Sequence, residues 1–95
     1  MADAPLISLP NIGHKLAARL KAIGIEDRQA LEAMGSARAY VLLCIENGYR
    51  LPLCYHLYSL EGALLGIDWR ELSSGAKCAL RKDADLEAGK MVGLT

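Results

Sequence analysis

The sequence has no phenylalanine, a single tryptophan and no net charge: 11 Lys and Arg are matched by 11 Asp and Glu over 95 residues. That balance excludes a broadly basic domain that would bind nucleic acid by charge alone. Long apolar runs are missing too. The longest run of large apolar residues, Tyr40 to Ile45, falls far short of the roughly 20 residues of a membrane helix. The N-terminal stretch MADAPLISLP carries an acid at Asp3 and lacks the basic start of a secretory signal. No segment alternates apolar and polar residues with period two for long enough to make a strand. Repeats and low-complexity tracts are absent. The three cysteines, Cys44, Cys54 and Cys78, are odd in number and not closely paired, which excludes a disulfide framework. Each lies on an apolar-periodic stretch and reads as a reduced core thiol of a cytoplasmic protein.

What is present is a foldable core. Hydrophobic residues make up 53% of the chain and charged residues 23%, a composition that can fold rather than stay disordered. The length suits one domain. Such a domain buries roughly 60–65% of its unfolded surface, enough for a core without a metal or disulfide staple. Periodicity predicts an all-α, compact bundle of about five short helices. A short first helix is expected over residues 4–9, with Pro5 in its first turn. Ile12, Leu16, Leu20 and Ile23 form one apolar stripe and predict a helix over 14–23. Asp27 is expected to cap a helix that ends at Met34, and Ser36 to cap the next, over 37–46. Leu53, Leu57, Leu60 and Leu64 give the clearest amphipathic pattern, a central helix from near Pro52 to near Leu65. Asp68 and Glu71 have the spacing of a capping box. Ser73 is expected to cap a last helix over 74–86, which bounds a core of about residues 6–86. The segment from Ala88 to Thr95 reads as a frayed tail.

One stretch is informative beyond packing. Leu9-Pro10-Asn11-Ile12-Gly13-His14-Lys15-Leu16, running on to Arg19 and Leu20, resembles a helix-hairpin-helix. A tight turn of this kind leaves the first amides of the following helix without partners. Together with the positive end of the helix dipole they make an anion site. Here the donors would be the amides of Gly13, His14 and Lys15. Lys15 and Arg19, four apart, would add charge for a nucleic-acid phosphate. Asn11 stands where the usual hairpin has glycine. Asparagine reaches the left-handed region more easily than most residues, so the turn can form, with its side chain beside the phosphate. The same hairpin also serves elsewhere as scaffold or as a protein contact.

After this motif come Leu57-Tyr58-Ser59-Leu60-Glu61-Gly62-Ala63-Leu64 and Gly66-Ile67-Asp68-Trp69-Arg70-Glu71-Leu72. Taken in order with the hairpin, over about residues 6–82, they resemble the C-terminal domain of the TfoX/Sxy family, bacterial regulators of natural competence. The resemblance implies an all-α, helix-hairpin-helix or SAM-like domain that contacts nucleic acid or the transcription machinery. Full-length members carry an N-terminal α+β domain ahead of this one, so the sequence reads as a stand-alone or excised copy of the second.

The remaining chemistry is sparse. His14 and His56 are the two histidines. Cys54 and His56, two residues apart, would point in different directions on a helix, so no metal or other cofactor is expected. Ser59 and Glu61 have no partner that would make a catalytic set, and no enzymatic activity is expected. Glu61, if buried, calls for an Arg or Lys partner. Trp69 reads either as a plug closing the end of the central helix or as an exposed anchor for a partner. Tyr49, Tyr55 and Tyr58 read as half-buried packing residues. A stacking platform is the weaker choice, because no basic residue interleaves them. Two functions stay open: a regulatory module that contacts DNA backbone weakly through Asn11, Gly13, His14, Lys15 and Arg19, or a protein-interaction module, a homodimer included, without nucleic acid. Neither needs a membrane.

Overall fold

Of the stripe Ile12, Leu16, Leu20 and Ile23, the first three are buried, Leu16 and Leu20 on α1 (His14–Ala22) and Ile12 just before it, while Ile23 at the end of α1 is half-buried. The computed structural model describes residues 5–92. Within them follow α2 (Arg28–Met34), α3 (Ser36–Asn47), α4 (Leu57–Leu65) and α5 (Ser74–Val92), with short 3-10 turns at Leu6–Ser8 and Trp69–Glu71. No strand is formed among the described residues; a lone bridge joins Pro5 and Asp27. None of the described helices is long and apolar enough to cross a membrane. The radius of gyration, 12.6 Å, is that of a closely packed chain of this length, about 13 Å for 100 residues.

The core is aliphatic. Leu20, Ile25, Leu31, Leu43, Leu51, Leu57 and Leu60 are almost completely buried, each removing about 1.5–3 kcal/mol worth of apolar surface from water. α4 is the central helix, with Leu57, Tyr58, Ser59, Leu60, Gly62 and Ala63 all buried. Leu53 and Leu64 of the expected stripe are only half-buried. α3 lies along α5 and also packs on α4. The caps form as their spacing predicts. Asp27 Oδ1 accepts from the Ala30 amide at 2.8 Å, and Ser73 Oγ accepts from the Ala76 amide at 3.0 Å. Asp68 and Glu71 complete their capping box, on a 3-10 turn.

Several expectations are corrected. The first helix is a single 3-10 turn, Leu6–Ser8, and Ala4 lies outside the described residues. α4 starts at Leu57 rather than near Pro52. The His56 ring bonds the Pro52 carbonyl at 2.9 Å and the Ser59 hydroxyl bonds the Cys54 carbonyl at 2.8 Å. Side chains thus take carbonyls that an earlier helical turn would have used. Ser36 is the first residue of α3, not its cap; Gly35 takes that place. The Ser36 hydroxyl instead donates to Glu61 Oε1 at 2.8 Å. Glu61 therefore meets a hydroxyl and the positive end of α3, with no Arg or Lys among its hydrogen-bond partners. Residues 88–92, expected to fray, continue α5. Ala88 and Met91 extend the Leu80–Ala84 stripe and pack on the core. Residues 93–95 lie outside the described residues. The three cysteines are free and half-buried.

Candidate nucleic-acid interface

Asn11 does enter the left-handed region, at φ 69°, so the turn before α1 closes without glycine. Its side chain is not beside the outer surface of the turn. The amide nitrogen donates to the Ile67 carbonyl at 2.9 Å and the Ser59 carbonyl at 3.3 Å, and Oδ1 accepts from the Trp69 amide at 3.2 Å. Asn11 acts as a clamp that fixes the turn before α1 on the end of α4. Gly62 makes the clamp possible. A Cβ there would lie 2.6 Å from Asn11 Nδ2 and 2.8 Å from the Ile67 carbonyl oxygen.

With the turn fixed, α1 begins at its expected place. Gly13 is the N-cap, no side chain caps the helix, and its first turn holds no acid. The first rung of the helix runs from the Ala17 amide to the Gly13 carbonyl. The amides of His14, Lys15 and Leu16 precede it and have no place in the helical ladder. Gly13, His14 and Lys15 are exposed. The side chains of these residues diverge. His14 turns toward Lys21 and lines a cleft with Pro5 and Ile7. Lys15 and Arg19 turn the other way and, with Leu16, Tyr55 and His56, line a cleft of about 280 Å³.

His56 organises that cleft. Its Nδ1 lies 2.9 Å from the Pro52 carbonyl, which can only accept, so Nδ1 bears the hydrogen. Nε2 then accepts from Arg19 Nη1 at 3.2 Å. Burial, and then the charges of Arg19 and Lys15, push the imidazole below its ordinary pKa against the pull of the Pro52 bond. The ring is neutral at pH 7. Because the unfolded chain takes up this proton first, the contribution of His56 to stability is complete above its unfolded pKa and is lost as pH falls through the folded one. Thermal melts between about pH 7 and pH 5 are expected to fall less for His56→Gln than for the unmodified chain. Equal falls would contradict this arrangement.

No carboxylate lines this cleft. Among the described residues, no ion pair within 4.0 Å engages Lys15 or Arg19. Glu46, from the end of α3, shares a neighbouring cleft with Lys15, Arg19, Ala22 and Asn47, without an ion pair to either cation within 4.0 Å.

The face continues through aromatic rings. Tyr55 is 67% exposed, and its ring meets Trp69 edge-on at 6.3 Å and 73°. Lys77 Nζ sits over the Trp69 ring at 5.4 Å and over Tyr58 at 5.6 Å. Trp69 is half-buried against the core and plugs the end of α4, as expected, yet it also borders this surface. Asp68, beside it, is bound by Arg70 through two side-chain bonds of 3.0 and 2.9 Å, which hold its carboxyl at about 2. Tyr55, His56 and Lys77 were not among the expected site residues. The bases that accompany the tyrosine come from α1 and α5, so no local pattern announces them. Ser59 is spent on the Cys54 carbonyl, and no group of three His, Cys, Asp or Glu suited to a metal occurs among the described residues.

Known proteins resemble this chain over most of its length. The family model described as TfoX C-terminal domain matches residues 2–84. No curated protein matches. Among solved structures, the triclinic crystal form of an uncharacterized protein from Listeria monocytogenes is similar. Its TM-score is 0.74 and its identity 36%, over 88% of this chain and 94% of that one.

Proposed function

The chain belongs to the TfoX C-terminal domain family, and from that membership we propose that it is a regulatory module, related to competence regulators, that contacts the DNA backbone weakly through its hairpin face. The observation that carries this reading is the pairing of a helix N-terminus without a side-chain cap with two cations, Lys15 and Arg19, that form no ion pair within 4.0 Å among the described residues. Amides and dipole attract a phosphate at that end of the helix, and the two side chains reach the neighbouring backbone. With about two or three phosphate contacts, affinity alone falls in the weak, non-specific range of roughly 10⁻⁴–10⁻⁶ M at physiological salt. A partner therefore supplies sequence specificity. The module works in the cytoplasm, without catalysis or a cofactor.

Nuclear magnetic resonance with a DNA duplex tests this reading. The amide signals of Gly13, His14 and Lys15 are expected to shift most. Shifts confined to α3 and α5, where Ile45 and Leu86 stand exposed, or no shift at all, would overturn it. In that case the alternative, a protein-interaction module or homodimer, would take its place.

A further inference from the structure

We propose that the cleft beside α1 takes an unpaired nucleotide of single-stranded DNA, its base stacked on Tyr55 and its phosphate held by Lys15 and Arg19. This rests on the reading of the hairpin face as a DNA contact and names the form of DNA that the face fits.

Tyr55 is the starting point. A tyrosine ring left 67% exposed is usually free to swing, but this one is braced. Trp69 meets it edge-on at 6.3 Å. Trp69 is in turn fixed by the Asn11 clamp on its amide and by Lys77 over its ring. The result is an aromatic face turned to solvent, and every base has a π-face to lay on such a surface. The cations stand at the same cleft. Lys15 and Arg19 line it beside Tyr55, with the apolar Leu16 between them and His56 orienting the Arg19 guanidinium. No acid lines the cleft, and the nearby Asp68 is already bound to Arg70. Size points the same way. The cleft, about 280 Å³, lies just below the roughly 300–1,000 Å³ of drug-sized ligand sites. It suits one base and not a duplex. In a duplex the bases are stacked on one another and offer no face to Tyr55. In a single strand they can turn out onto it.

Fluorescence anisotropy with a labelled oligo-dT strand and with a labelled random-sequence duplex, at one salt concentration, tests the proposal. The strand is expected to bind more tightly than the duplex. Tyr55→Ala is expected to weaken strand binding by roughly 5- to 160-fold, the range for removing one stacking interaction, and to weaken duplex binding by a clearly smaller factor. Tyr55→Phe, which keeps the ring, is expected to bind both probes as the unmodified chain does. Circular dichroism checks that the variants fold. Strand affinity unaltered in Tyr55→Ala, or an equal loss on both probes, would overturn the stacking. If the duplex binds and the strand holds no advantage, the stacking fails while the backbone contact stands. If neither probe binds at low salt, both fall.

Discussion

Gly62→Ala is expected to destabilise the domain by about 3 kcal/mol and to lower its Tm by roughly 10–20 °C. The sign is the informative part. In the middle of a helix, alanine normally stabilises relative to glycine by about 1 kcal/mol. Here the new Cβ would lie 2.6 Å from Asn11 Nδ2, 2.8 Å from the Ile67 carbonyl oxygen and 3.2 Å from the Trp69 amide nitrogen. Two of these are backbone atoms and cannot step aside as a flexible side chain would. The clash pushes Asn11 out, leaving the Ile67 carbonyl and the Trp69 amide without the partner the clamp provides. Thermal unfolding followed by circular dichroism reads the change. A variant as stable as the unmodified chain would mean that the Asn11 turn is not seated on α4 in this way.

The second large effect concerns binding. Lys15→Glu combined with Arg19→Glu is expected to reduce duplex affinity at low salt by at least about 10-fold, to below detection for so weak a binder. The pair changes from two positive to two negative charges on one flank of α1. Neither side chain has a carboxylate partner within 4.0 Å among the described residues, so reversal breaks no ion pair. Lys15 is exposed and Arg19 half-buried at the rim of the cleft. Within the fold, the reversal removes the Arg19 bond to the neutral His56 ring. Stability should therefore stay close to that of the unmodified chain. A large fall in Tm would signal that the loss of binding is structural.

The helices and their caps were legible because they are local. Apolar residues three and four apart mark α1 and α4, and Asp27, Asp68 and Ser73 announce the starts of the elements they cap. The turn that leads into α1, too, could be placed from Asn11 and Gly13. What stayed hidden depends on partners distant in the chain. The atoms that Asn11 holds are 48, 56 and 58 residues away. Nothing near position 11 shows that its side chain turns inward and clamps rather than lining the outer surface. Gly62, read alone, is a poor helix residue; its purpose exists only once Asn11 arrives. The start of α4 was misplaced because side-chain bonds from His56 and Ser59 compete with the helical ladder in a way that apolar spacing does not reveal. The aromatic part of the site shows the same limit. Tyr55 lacks basic neighbours in sequence, and receives Lys15 and Arg19 from α1 and, by way of Trp69, Lys77 from α5.

The salt dependence of duplex binding tests the central claim most directly, because a phosphate contact made by amides and two cations releases counterions in proportion to its size. Anisotropy titrations of the unmodified chain and of the Lys15→Glu, Arg19→Glu chain, run across a salt series, give the slope of log affinity against log salt. A hairpin contact of this kind predicts a slope of about −2 for the unmodified chain and no measurable binding for the variant. Binding that ignores both salt and the two charge reversals would contradict it.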